Sequence, residues 1–92
     1  MYVVVHHRVT DREKFQSTDP RDVAGNAPDG VEVCYFLPAR DASAADCLWQ
    51  TKSLDALREY LDPATSGICE NTYFEVDSGF AMGLPATVVA PV

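Results

Sequence analysis

Basic residues are scarce in this 92-residue sequence: seven Lys and Arg stand against fourteen Asp and Glu, for a formal charge of −7. Binding phosphates requires clustered cations, and Arg8, Arg12 and Lys14 are the only local concentration. Nucleic acid is therefore not an expected partner, and the carboxylates read as a solvated acidic surface. No apolar run approaches the roughly 20 residues that span a bilayer. The start also lacks the basic, apolar and small-residue order of a secretory signal. The expectation is a cytoplasmic protein with no membrane partner. Cysteine is sparse as well. Cys34, Cys47 and Cys69, an odd number with no CxxC pair, are expected there as reduced thiols. Glycine-rich phosphate loops are missing, which argues against nucleotide binding. No serine sits in an elbow motif and no cysteine follows a helix-start signature, so the sequence assigns no catalytic nucleophile.

What is present is a set of short alternating elements. Tyr2–Val9, rich in β-branched side chains, predicts a first strand. Thr10-Asp11-Arg12-Glu13 has capping-box spacing and predicts a helix over about 11–17, anchored by Phe15. Asp19-Pro20 breaks it, because proline disfavours the α conformation in the residue before it and removes a donor. A second short turn is expected from Pro20 to Gly25. Val31–Leu37 and Ala45–Thr51 predict two strands joined as an antiparallel hairpin. Ser53 caps a clearer helix whose Leu54, Leu57 and Leu61 form one stripe, and Asp62-Pro63 is expected to end it. Cys69–Asp77 is the fourth strand. The order β-α-β-β-α-β predicts an α+β, ferredoxin-like domain over 1–78, with a four-stranded antiparallel sheet in order 4-1-3-2 and both helices on one face. Residues 79–92 form a tail, whose apolar end Pro85–Val92 either adds along a partner's sheet edge or frays.

The adjacent histidines of "VVVHHRV" cannot share one environment, since neighbouring strand residues point to opposite faces. Alternation sends Val3, Val5, His7 and Val9 to the helix side, and Tyr2, Val4, His6 and Arg8 to the open side. In the last strand Thr72, Phe74 and Val76 are assigned to the helices, leaving Cys69, Asn71, Tyr73 and Glu75 open. If Pro38 pairs with Ser43, Cys34 lies opposite Cys47 and Glu32 opposite Trp49, while Val33 and Leu48 face the helices. A one-residue slip would undo that arrangement. The expected open face thus carries His6, Cys34, Phe36, Cys47, Trp49, Tyr73 and Glu75, with Arg8 at its edge. So apolar a surface suggests a homodimer in which two sheets enclose a shared cavity.

With these features the chain resembles the dimeric α+β barrel superfamily. It is more specifically similar to a little-characterised bacterial family that includes a small nickel-binding, nickel-responsive protein. The matching stretches are "VVHH", "CLW" followed by "SLDALREYL", and "NTYFEV". The break at Asp19-Pro20 and the tail beyond Asp77 depart from that pattern. The resemblance implies metal binding by the paired-histidine strand. Imidazole and thiolate ligands suit nickel, zinc or copper, and His6, His7, Cys34 and Cys47 are the candidate ligands. Against this stands the plainer reading of the cysteines as small buried hydrophobes and of His7 as a core imidazole. The wider superfamily also includes cofactor-free enzymes acting on small apolar substrates. In that alternative His6 is a general base, Asn71 and Tyr73 are hydrogen-bond donors, Glu75 orients the imidazole, and Phe36 and Trp49 are cavity walls.

Overall fold

The computed structural model describes residues 1–85. Residues 86–92, which hold most of the apolar end expected either to add along a partner's sheet edge or to fray, lie outside the described residues. The elements run β1 (Tyr2–Val9), α1 (Arg12–Ser17), α2 (Pro20–Gly25), β2 (Val31–Pro38), β3 (Ala44–Thr51), α3 (Leu54–Ala64) and β4 (Cys69–Glu75). The four strands form one antiparallel sheet in order β2-β3-β1-β4. The chain is an α+β domain compatible with the ferredoxin-like arrangement. No helix among the described residues is long and apolar enough to cross a membrane.

Local chemistry sets the helix ends. Asp11 rather than Thr10 caps α1, its carboxylate accepting from the Lys14 N–H at 3.0 Å. Asp19 caps α2, whose first residue is Pro20, a position where the missing N–H costs nothing. Ser53 caps α3 by accepting from the Ala56 N–H. That helix continues through Pro63 to Ala64 instead of stopping at Asp62. The proline lies in the last turn, where losing one N–H breaks only a terminal bond. Leu57 and Leu61 are fully buried on the sheet against Val3, Val5 and Trp49. Neither α1 nor α2 buries a residue completely. The Asp19-Pro20 break therefore leaves a thin helical layer over β2 and β3.

Register decides the faces. Val3, Val5 and His7 are buried toward the helices, and His6 and Arg8 are exposed on the other side, as alternation in β1 predicts. The other strands correct the expectation. In β4, Asn71 lies opposite His7 and Tyr73 opposite Val5, so Cys69, Asn71 and Tyr73 belong to the helix side. Glu75, opposite Val3, shares their side and is exposed at the strand end. Thr72 and Phe74 take the open side beside His6 and Val4. Apolar residues occur at both parities of "CENTYFEV", so hydrophobic pattern alone does not fix this strand. In the hairpin, Cys47 lies opposite Val5 and Trp49 opposite Val3, which puts both on the helix side and Leu48 on the open side. A bulge at Cys34 shifts the β2 register between Val33 and Tyr35. The extra residue reverses the alternation, so Val33 and Phe36 both turn toward the helices. Cys34 therefore pairs with no residue of β3, and the expected Cys34–Cys47 opposition does not form.

The open face is also not bare. The Tyr35 hydroxyl, on the β2 edge, donates to the Gly83 carbonyl at 3.2 Å. Residues 76–83 therefore carry the chain from the β4 edge to the opposite edge of the sheet.

Candidate functional site

The thin helical layer leaves a cavity of about 260 Å³ between α1, α2, the end of α3 and the sheet. Its walls are mainly apolar, with Phe15 and Val23 from the helices, Phe36 and Trp49 from the hairpin, and Leu61 and Ile68 from the far end. The Phe15 and Phe36 rings stand 6.3 Å apart, tilted against each other. Trp49 packs edge-on against Tyr60, whose hydroxyl donates to the Val23 carbonyl and ties α3 to α2. At the low end of ligand-pocket sizes, roughly 300–1,000 Å³, the space suits a small molecule.

Polar chemistry enters this cavity on β1, β3 and β4. His7, 4% exposed, has Nδ1 2.5 Å from Asn71 Oδ1 and Nε2 3.2 Å from Cys47 Sγ. The network assigns the tautomer. Asn71 Nδ2 donates to Asp62 Oδ1 at 3.1 Å and to Thr65 Oγ1 at 2.9 Å, so its Oδ1 is the acceptor that faces His7. The imidazole thus donates from Nδ1, and Nε2 keeps the lone pair that faces the Cys47 thiol. Tyr73 donates to Asp62 at 2.6 Å, and Arg58 lies over the Tyr73 ring, 5.1 Å from its centre. These contacts anchor Asn71 to α3. Cys69 Sγ stands 3.6 Å from His7 Nδ1 on the other flank.

The electrostatics of the group follow from burial. Desolvation disfavours charge and lowers the His7 pKa below its ordinary 6.5, with the Asn71 hydrogen bond opposing the shift. Burial pushes the Cys47 thiol up to about 12, although the nearby Trp49 N–H favours the thiolate. Cys69 and Tyr73 are also raised, both chiefly by burial. At neutral pH the resting pair is a thiol and a neutral imidazole. Trp49 Nε1 itself is buried and makes no hydrogen bond among the described residues. An unsatisfied buried donor costs about 1–3 kcal/mol, and this one belongs to a residue that lines the cavity, with the nitrogen itself covered.

No family model, curated protein or solved structure matches this chain.

The candidate residues separate into two groups. His7, Phe36, Cys47 and Trp49 line the cavity, with Asn71 and Tyr73 behind His7. His6 and Arg8 are remote from it, paired across strands on the open face with Asp46 at 2.6 Å and with Glu70. Glu75 makes no contact with either histidine, and Cys34 does not line the cavity. The four expected metal ligands thus do not meet at a common point. Among the described residues no three His, Cys, Asp or Glu side chains are placed to hold a metal ion. The sequence reading missed Asp62 and Thr65, which fix Asn71, and Cys69 beside His7. Asp62 and Thr65 follow the leucine stripe on α3, but their reach to β4 depends on its register.

Proposed function

We propose that the protein binds a small, largely apolar molecule carrying one hydrogen-bond acceptor, in the cavity between the helices and the sheet. The apolar cavity carries this reading, with the buried Trp49 N–H, which has no partner among the described residues, on one of its lining residues. A ligand oxygen or nitrogen that reached this N–H would satisfy the donor, while the alkyl or aryl remainder would bury against Phe15, Phe36 and Leu61. Polar groups behind the wall are already committed to one another, which supports a rigid, pre-formed pocket that loses little entropy on binding.

Trp49 is the sole tryptophan, so its fluorescence reports directly on the site. Titration with short alkyl and aryl ketones is expected to give saturable changes in emission and a rise in Tm. At a ligand concentration 100 times Kd the stabilisation would be about 2.7 kcal/mol. Val23→Phe, which fills the cavity from α2 and keeps Trp49 the sole tryptophan, is expected to abolish both responses. Ketones that alter neither emission nor Tm, or that act equally on the filled variant, would overturn the proposal.

A further inference from the structure

We infer that the cavity also carries out chemistry: Cys47 attacks the carbonyl carbon of a small acyl ester or thioester, His7 takes the thiol proton, and Asn71 holds the imidazole in place. The inference rests on the binding site proposed above and names its substrate class. Three observations carry it. First, Sγ–Nε2 at 3.2 Å and Nδ1–Oδ1 at 2.5 Å put a thiol, an imidazole and an amide in series, the order in which a nucleophile, its base and the group orienting that base must stand. Second, Cys47, a core residue only 6% exposed, is also one of the residues that line the cavity. Third, Trp49, two residues along the same face of β3, lines the cavity and holds a buried N–H near the Cys47 sulfur with no hydrogen-bond partner among the described residues. A carbonyl oxygen that reached it would gain a donor as negative charge develops.

Each step balances. As Sγ bonds to the carbonyl carbon, the S–H proton passes to His7 Nε2 and the carbonyl π electrons move to the oxygen, which accepts from the Trp49 N–H. Collapse breaks the bond from that carbon to the leaving alkoxide or thiolate, which departs with the Nε2 proton. Water then attacks the acyl-cysteine, giving a proton to Nε2. That proton returns to Sγ as the carboxylic acid leaves. A thiol held up by burial does not ionise in advance, so proton transfer accompanies attack and His7 is indispensable. Cys69 is no resolving thiol. It lies on β4 and Cys47 on β3, with β1 between them, and two strand spacings of about 4.8 Å exceed the roughly 7 Å Cα separation a disulfide spans. The pair is thus not arranged for redox exchange. With about 260 Å³ available, and roughly 30 Å³ for each water-sized unit, the acyl compound is a short aliphatic or single-ring one.

The test uses the full chain with p-nitrophenyl acetate and p-nitrophenyl butanoate, and with butyrophenone as an uncleavable ketone for binding. The native protein is expected to release nitrophenolate over many turnovers and, when quenched, to carry one acyl group mapped to Cys47. Cys47→Ala, which removes only the sulfur, should bind butyrophenone with unchanged Trp49 fluorescence response and show neither acylation nor turnover. His7→Gln should acylate about 10²-fold or more slowly, and Trp49→Phe about 10²-fold more slowly while retaining the Cys47 label. Asn71→Ala should slow acylation yet leave butyrophenone affinity within about threefold, a split that lost packing would not give. The acylation rate should rise with pH through the lowered His7 pKa and level off above about pH 6.5, the ordinary histidine value. Labelling at Cys34 or Cys69 instead, or an undiminished rate in His7→Gln, would overturn the inference. Butyrophenone binding without acylation would remove the chemistry and leave the binding proposal standing. A native chain that neither binds butyrophenone nor becomes acylated would remove both.

Discussion

His6 and His7 are neighbours in sequence, yet they occupy opposite regimes. The His6 side chain is 51% exposed and meets the equally exposed Asp46 across the sheet. His7 is buried beside Cys47 and held by Asn71, which is itself tied to α3. The same imidazole is a surface charge partner on one face and the centre of a buried network on the other. The difference lies in what each face packs against. Helix α3 and its C-cap bring Asp62 and Thr65 to the His7 side, whereas on β1's other face His6 pairs with Asp46 and Arg8 with Glu70 across strands. Polar groups become chemically distinctive when burial removes water and geometry limits their partners.

That comparison breaks most sharply in the core. Leu57→Ala or Leu61→Ala should cost about 2–5 kcal/mol in urea unfolding, because both side chains are fully enclosed on the His7 side. Leu37→Ala, on the open face and 63% exposed, should change stability by no more than about 0.5 kcal/mol. Equal effects would mean that the two faces do not differ in packing as described.

The histidines come next. His7→Ala should destabilise by about 1–3 kcal/mol, since it strands the Asn71 carbonyl among buried groups. His6→Ala should stay within about 0.5 kcal/mol, as exposed ion pairs contribute little. Comparison of urea midpoints at fixed pH checks both. A larger loss at His6 would reverse the assignment of faces.

Acid sharpens the same contrast. Burial holds the native His7 pKa below 6.5, so below about pH 6.5 the unfolded chain binds a proton that the folded chain refuses. The stability His7 contributes is complete above that pH and declines as pH falls toward the lowered native value. Urea midpoints should therefore drop between pH 7.5 and 5.5, and His7→Gln should lose part of that slope. An unchanged slope in the variant would show that His7 is not the titrating group.

The smallest effect lies at the hairpin that sets the register for both faces. Ala42 adopts φ 61° in the β2–β3 turn, a left-handed conformation that costs an L-residue about 1–2 kcal/mol. Ala42→Gly relieves that strain while adding about 0.5–1 kcal/mol of unfolded-chain entropy. A gain of a few tenths of a kcal/mol in urea unfolding is expected, and a loss would show that the buried methyl matters more than the strain.

Much of the frame is legible in the residues. β-branched runs mark the strands, Asp19-Pro20 marks the helix break, and Ser53 with its leucine stripe marks α3. The site was only partly legible. Alternation within β1 places His7 correctly because Val3 and Val5 make one parity clearly apolar. It fails in β4, where both parities carry aromatic side chains, and in β2, where one inserted residue at Cys34 reverses the pattern. Each failure moved a residue to the wrong side of the sheet: Asn71 and Tyr73 in one case, Phe36 in the other. Cys47 and Trp49 take their side from β1, where they oppose Val5 and Val3, a register the hairpin alone does not give.

By itself, the sequence determined the element order, the acidic surface and the opposite fates of two consecutive imidazoles, since strand periodicity is a local property of the backbone. Tertiary structure alone decided that Cys47, His7 and Asn71 stand in series beside an unpartnered indole N–H. Three strands must align in register for that to happen. A shift of a single residue, which costs little in composition and cannot be read from it, would exchange every side chain between the cavity and the open face.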